Sequence, residues 1–166
     1  KTTAIGEAAT ILANIYRNGF GSVQKDPAQV RKWLARAEYV GHVPAGKQLG
    51  DVYYYAKDGG QRDFGKALAA YKRAATLDYP PAQVALGDIY YRGTDGVKRN
   101  LKTAMTWYNQ AARYQHPDAL YALAVAYDTG EGATADQQKA IVFYKAAALA
   151  GQADAQTALG TYFYEG

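Results

Sequence analysis

At 166 residues and 49% hydrophobic content the chain has the length of one domain and enough apolar material to fold, which argues against a disordered tail. The net charge of +4 comes from Lys and Arg interspersed with Asp and Glu, no basic run exceeding two residues, as at Lys98-Arg99, so no nucleic-acid face is expected. No stretch approaches the roughly 18 apolar residues of a membrane span, and the absence of Cys excludes disulfides and thiolate metal sites.

Tyrosine is the compositional outlier, with 16 Tyr against 4 Phe. Its ring can be buried while its hydroxyl stays at the water edge, which suits a surface that is half core and half binding face. The chain opens on Lys1 without an apolar leader-like segment, as expected of an excised or mature fragment.

In chain order, one position is met five times. Ala8, Ala45, Ala82, Ala119 and Ala155 are spaced by 37, 37, 37 and 36 residues. Leu12, Leu49, Leu86, Leu123 and Leu159 repeat with the same spacing, as do Tyr16, Tyr53, Tyr90, Tyr127 and Phe163. A fixed period in this range means a stack of small units rather than one globular core. The expected units are 6–42, 43–79, 80–116, 117–152 and a partial 153–166, forming one array over 1–166.

Each unit reads as two helices. In the first, Asp26-Pro27-Ala28-Gln29 restarts the helical pattern after a break, with Pro27 at the first helical position and Gln29 placed for a capping box. The second unit follows its first helix with the loop Lys57-Asp58-Gly59-Gly60-Gln61-Arg62, and Asp63 restarts it. In the third, Ala82, Leu86, Ile89 and Tyr90 mark one helical face, Gly93 and Gly96 break it, and Asn100 restarts it. The fourth repeats the scheme through Gly130-Glu131-Gly132 and Asp136. Asp26, Asp63, Asn100 and Asp136 are therefore N-caps in phase with the hydrophobic ladder. Ala13, Gly50, Gly87, Ala124 and Gly160 are small positions in the same phase, expected at a tight helix crossing. The pairs Trp33-Leu34, Ala70-Tyr71, Trp107-Tyr108 and Phe143-Tyr144 are expected to fill the side facing the next unit.

The third unit carries Ala82, Leu86, Gly87, Tyr90, Gly93, Gly96, Val97, Asn100, Ala104, Trp107, Tyr108, Ala111 and Ala112, and the fourth repeats most of these. This pattern resembles the Sel1-like repeat, a relative of the tetratricopeptide repeat, over nearly the whole chain. The resemblance implies an all-α fold: a right-handed α-α superhelix (solenoid) of about four and a half Sel1-like helix-turn-helix repeats. It also implies a noncatalytic scaffold or adaptor that binds a partner protein or peptide in its concave groove, in a bacterial envelope or secretion assembly. A weaker resemblance is to envelope scaffolds of the exopolysaccharide (alginate-type) export class. The alternatives are an immunity protein that neutralises a secreted toxin and a saccharide-binding module that stacks Tyr on sugar rings. Departures include Ala13 for the usual Gly, Val30 for the usual Ala, and the loop 57–62. The cysteine-rich subset of the family carries disulfides that this chain cannot form.

By the same resemblance the first helix of each pair lines the groove. Its free positions are Glu7, Thr10, Asn14, Arg17 and Asn18 in the first unit, Lys47, Asp51, Tyr54 and Tyr55 in the second, and Val84, Asp88, Tyr91 and Arg92 in the third. Tyr121, Val125 and Asp128 follow in the fourth, then Tyr164 and Glu165 in the partial fifth. Tyr and Arg are the residue types enriched at interface hot spots. The competing expectation is that these Tyr lean on neighbouring helices and only widen the core.

Catalytic or cofactor chemistry is not expected. His42 and His116, the only histidines, share one repeat position at a turn, and the glycine loops lack the Lys-Ser/Thr of a phosphate loop. The final residues Tyr162-Phe163-Tyr164-Glu165-Gly166 read as a first helix without its partner, a site of association through aromatic surface. The expected compartment is the periplasm or cell envelope, with the cytoplasm as the alternative.

Overall fold

The cap residues set where each second helix begins. Asp26 Oδ1 accepts from the Ala28 and Gln29 N–H groups at 2.9 and 3.1 Å, and Asp63 Oδ1 from Lys66 at 2.9 Å. Asn100 and Asp136 do the same for Thr103 and Lys139, each at 3.0 Å. The N–H of every cap also donates to the ladder tyrosine of the preceding helix: Asp26 to Tyr16, Asp63 to Tyr53, Asn100 to Tyr90 and Asp136 to Tyr127, at 2.7–3.0 Å. The acceptor is in each case the backbone carbonyl, so one residue ties the end of one helix to the start of the next and fixes the length of the loop between them. The return bond of a capping box, expected from Gln29, is pre-empted because the Asp26 N–H is already given to Tyr16.

The computed structural model describes residues 2–94 and 96–165. Among them the helices are α1 (Thr2–Asn18), α2 (Pro27–Tyr39), α3 (Val43–Tyr55), α4 (Phe64–Thr76), α5 (Pro80–Arg92), α6 (Leu101–Ala112), α7 (Pro117–Thr129), α8 (Gln137–Leu149) and α9 (Ala153–Glu165). Lys1, Gly166 and the side chain of Glu165, which enter the expectations above, lie outside what is described. Sheet structure among the described residues is confined to two isolated bridges, Phe20 with Val23 and Thr94 with Val97, inside helix-to-helix loops.

The helices fall into two compact units, up to Tyr79 and from Pro80. In the first, α1 packs on α2, α2 on α3 and α3 on α4, around Ala9, Ala13, Val30, Leu34, Ala37, Leu49 and Val52. In the second, α5 to α9 pack consecutively, with Leu120, Ala124, Ala140, Tyr144 and Ala147 at the core of the α7–α9 part. The alanine ladder is buried from Ala45 to Ala155, but Ala8 is exposed, because α1 turns Ala9 into the core instead.

The small positions have a specific cause. A Cβ on Gly50 would lie 2.5 Å from the Tyr71 ring, and one on Gly87 would lie 2.4 Å from the Tyr108 ring. Tyr71, Tyr108 and Tyr144 therefore fold back on the first helix of their own repeat, not outward toward the next as expected. Where the first helix carries Ala13, the second carries Leu34, which needs less room.

Loop 57–62 departs from its equivalents but is well held. Ala56 takes the left-handed conformation (φ 53°) that Gly19, Gly93 and Gly130 supply at the same repeat position. Arg31, from α2, reaches across to Asp58 Oδ2 at 2.6 Å and to the Gln61 carbonyl at 3.1 Å, and the Asp58 side chain is 0% exposed.

Candidate partner-binding cleft

The polar positions expected in the groove are first of all partners of buried tyrosines. Tyr71 donates its hydroxyl to Asp51 Oδ1 at 2.8 Å, and Tyr108 donates to Asp88 Oδ1 at 2.7 Å. A buried Tyr hydroxyl without an acceptor would be costly, so an Asp one helix away accompanies each of these rings. Position 34 carries Leu, and the matching Asn14 accepts instead from Arg17 Nη1 at 2.9 Å. In the fourth repeat Val125 replaces the Asp, and Tyr144 reaches one turn further, to Asp128 Oδ2 at 3.1 Å. Asp128 also accepts the hydroxyl of Tyr162 from α9.

In the first unit the expected residues are thus largely engaged. Asp51 Oδ2 takes Lys47 Nζ at 2.8 Å. Tyr54 packs edge-on against Tyr55 and Phe64, with ring centroids at 4.7 and 5.2 Å, and leans on Tyr71. For Tyr54 the packing expectation describes the geometry better than the groove expectation. Tyr55 remains 53% exposed, under Lys57 Nζ.

The second unit contains a cleft of about 230 Å³ between the first helices of two successive repeats. Asp88, Tyr91 and Arg92 of α5 form one wall and Tyr121, Ala122 and Val125 of α7 the other. The floor comes from α6, through Leu101, Ala104, Met105 and Tyr108. Asp118, in the first turn of α7, and Glu131, in the loop after it, complete the rim. The Tyr91 hydroxyl donates to Glu131 Oε2 at 2.6 Å, and Arg99 lies over the Tyr91 ring while its Nη2 sits 3.2 Å from Glu131 Oε1.

The charges in the cleft are uneven. Burial pushes the Asp88 carboxyl above the usual carboxylate range; the Tyr108 hydrogen bond and Arg92 oppose this, and Asp118 adds to it by repulsion. Tyr108 is raised by burial first and then by the Asp88 charge. The Tyr91 hydrogen bond, followed by Arg99, lowers Glu131, and the same bond raises Tyr91. Burial, then Asp128, raises Tyr144, whereas for Tyr162 the bond to Asp128 comes first and pushes it up to about 12.

Five of the expected residues, Asp88, Tyr91, Arg92, Tyr121 and Val125, meet in this cleft. Asp128 is occupied by Tyr144 and Tyr162, and Tyr164 is 93% exposed on α9. Val84, expected to face the groove, is 8% exposed and packs on Ala111 and Ala119. Its place on α5 puts it on the side buried by α6 and α7, which a pattern carried over from related repeats does not resolve. Met105, Leu101 and Glu131 were not expected, since they come from a second helix and a loop. Met105 had one sequence signal: it is the only Met of the chain, a residue type favoured on adaptable binding surfaces. Among the described residues no group of His, Cys, Asp or Glu is arranged to hold a metal ion. His42 and His116 stand at the N-cap positions of α3 and α7.

The Sel1 repeat matches at residues 6–42, 47–79, 80–113, 117–152 and 153–166. The chain belongs to the Sel1 repeat family. Sel1 repeats are protein-binding modules, and the family is in general a non-catalytic scaffold. A protective antigen present in uropathogenic Escherichia coli strains, displaying an SLR fold, is 30% identical with a TM-score of 0.87 over 96% of this chain. A Sel1 repeat protein from Oxalobacter formigenes is 29% identical with a TM-score of 0.83 over 94%. This Sel1 chain spans 34% and 62% of those two proteins. Cysteine rich protein B of Helicobacter pylori, 22% identical, shares the fold with a TM-score of 0.60 over 77% of this chain and 96% of its own. No curated protein matches the chain. The fold class is all-α, a repeat array of the solenoid type, and no described helix is long and apolar enough to cross a membrane.

Proposed function

We propose that this Sel1 array is a noncatalytic interaction module that takes a segment of a partner protein in the cleft between α5 and α7. The observation that carries the reading is that five residues expected on the groove-lining helix faces, Asp88, Tyr91, Arg92, Tyr121 and Val125, converge on one apolar-floored hollow. Side chains held on rigid helices make such a hollow a preformed socket, the situation in which little ordering cost is incurred on binding. A bacterial envelope or secretion assembly is the proposed setting, supported by the family resemblance; fractionation of the native cells tests it.

The binding face is tested by site-specific photocrosslinking in the native source. A photoreactive residue at Arg92, on the cleft rim, is expected to capture one protein partner. The same residue at Lys102 or Thr106, exposed on α6, is expected to capture none of it. Equal capture from all three positions rejects the cleft as the binding face.

A further inference from the structure

The cleft restricts what kind of side chain can enter, an inference that rests on the function just proposed. Its 230 Å³ give ample room for one long side chain. Its floor, Leu101, Ala104 and Met105, with Val125 beside it, favours an aliphatic stem. Its polar groups point to the other end of that stem. Asp88 is half-buried and spends Oδ1 on Tyr108, and the Asp118 carboxylate lines the same hollow. Glu131 is held by Tyr91 and Arg99. Arg92 is the one cation the cleft lining contributes among the described residues; it attracts Asp88, but it is exposed and solvent screens that attraction. An apolar hollow edged by the carboxylates of Asp88 and Asp118 is complementary to a cation on an aliphatic chain.

We propose that the cleft receives a lysine or arginine side chain of the partner segment, its stem on Met105 and Leu101 and its cation between Asp88 and Asp118. The partner segment is basic at this point and apolar beside it.

A random dodecapeptide display library selected on the intact chain, with Ala122→Trp as the cleft-filling control, tests this. Val125→Phe serves as the control if Ala122→Trp lowers the melting temperature. Clones that lose binding to the filled variant are expected to share a Lys or Arg next to apolar residues. In a synthetic peptide of such a clone, norleucine in place of that residue is expected to raise Kd about tenfold, the range of a charge-assisted hydrogen bond. Asp118→Asn and Asp88→Asn are expected each to weaken the cationic peptide and to leave the norleucine peptide unchanged. Cleft-dependent clones with acidic or uncharged residues at that point overturn this inference and leave the proposed function standing. A selection in which no clone depends on the cleft overturns the proposed function with it.

Discussion

The Tyr108 ring occupies the space that a side chain on Gly87 would need: a Cβ there would sit 2.4 Å from the ring and the hydroxyl reaches Asp88 at 2.7 Å. Ala is favoured over Gly in a helix by about 1 kcal/mol, yet overpacking a tight contact costs about 1–3 kcal/mol. Gly87→Ala is therefore expected to destabilise, and the equivalent Gly50→Ala with it. Tyr108→Leu in the same chain should recover part of the loss, since Ala13 with Leu34 is the version the first repeat uses. Thermal or urea melts of the two single variants and the double give the coupling, expected at about 1 kcal/mol or more. Additive losses contradict the contact.

Asp88 makes stability depend on pH in an unusual direction. Its folded pKa lies above 3.8, chiefly through burial, so the folded state holds the proton more tightly than the unfolded one. Ionising it then works against folding. Its contribution is present below 3.8 and is lost as pH rises from there through the raised folded value. The stability of the wild type minus that of Asp88→Asn is expected to fall over that window and to level off above it. Urea denaturation of both proteins from acidic to neutral pH checks the slope; a difference that rises with pH contradicts it.

The caps predict a local loss. Asn100→Ala removes the acceptor for the Thr103 N–H while keeping the backbone bond from Asn100 N–H to Tyr90. The expected cost is about 1 kcal/mol, read as a lower melting temperature. Hydrogen exchange is expected to speed up first at the start of α6; uniform acceleration across the unit from Pro80 contradicts a local role.

Arg31 predicts a larger one. The Asp58 side chain is 0% exposed and Arg31 holds it with two nitrogens, at 2.6 and 3.3 Å, while lying over the Tyr53 ring. Arg31→Met leaves a buried carboxylate against the Gly60 N–H, with an expected loss of about 3 kcal/mol. Arg31→Lys should not restore it, because an ammonium cannot supply the fork and the Gln61 bond together. Recovery of the wild-type melting temperature by Lys contradicts this.

The chain by itself determined its repeat. Cap, ladder leucine, ladder tyrosine and small residue recur in one phase because each is tied to the next by a local bond or a short-range packing contact, such as Asp63 N–H to Tyr53. Which polar residues are free was decided by tertiary structure. Asp51 and Asp88 occupy the same repeat position and each accepts a tyrosine hydroxyl, yet Lys47 takes the second oxygen of Asp51 while Asp88 lines a hollow built by other helices through residues such as Met105 and Val125. Val84 is buried and Tyr54 leans on neighbouring rings for the same reason: a helix period states which residues share a face, and only the packing of the neighbouring helices decides which face is covered.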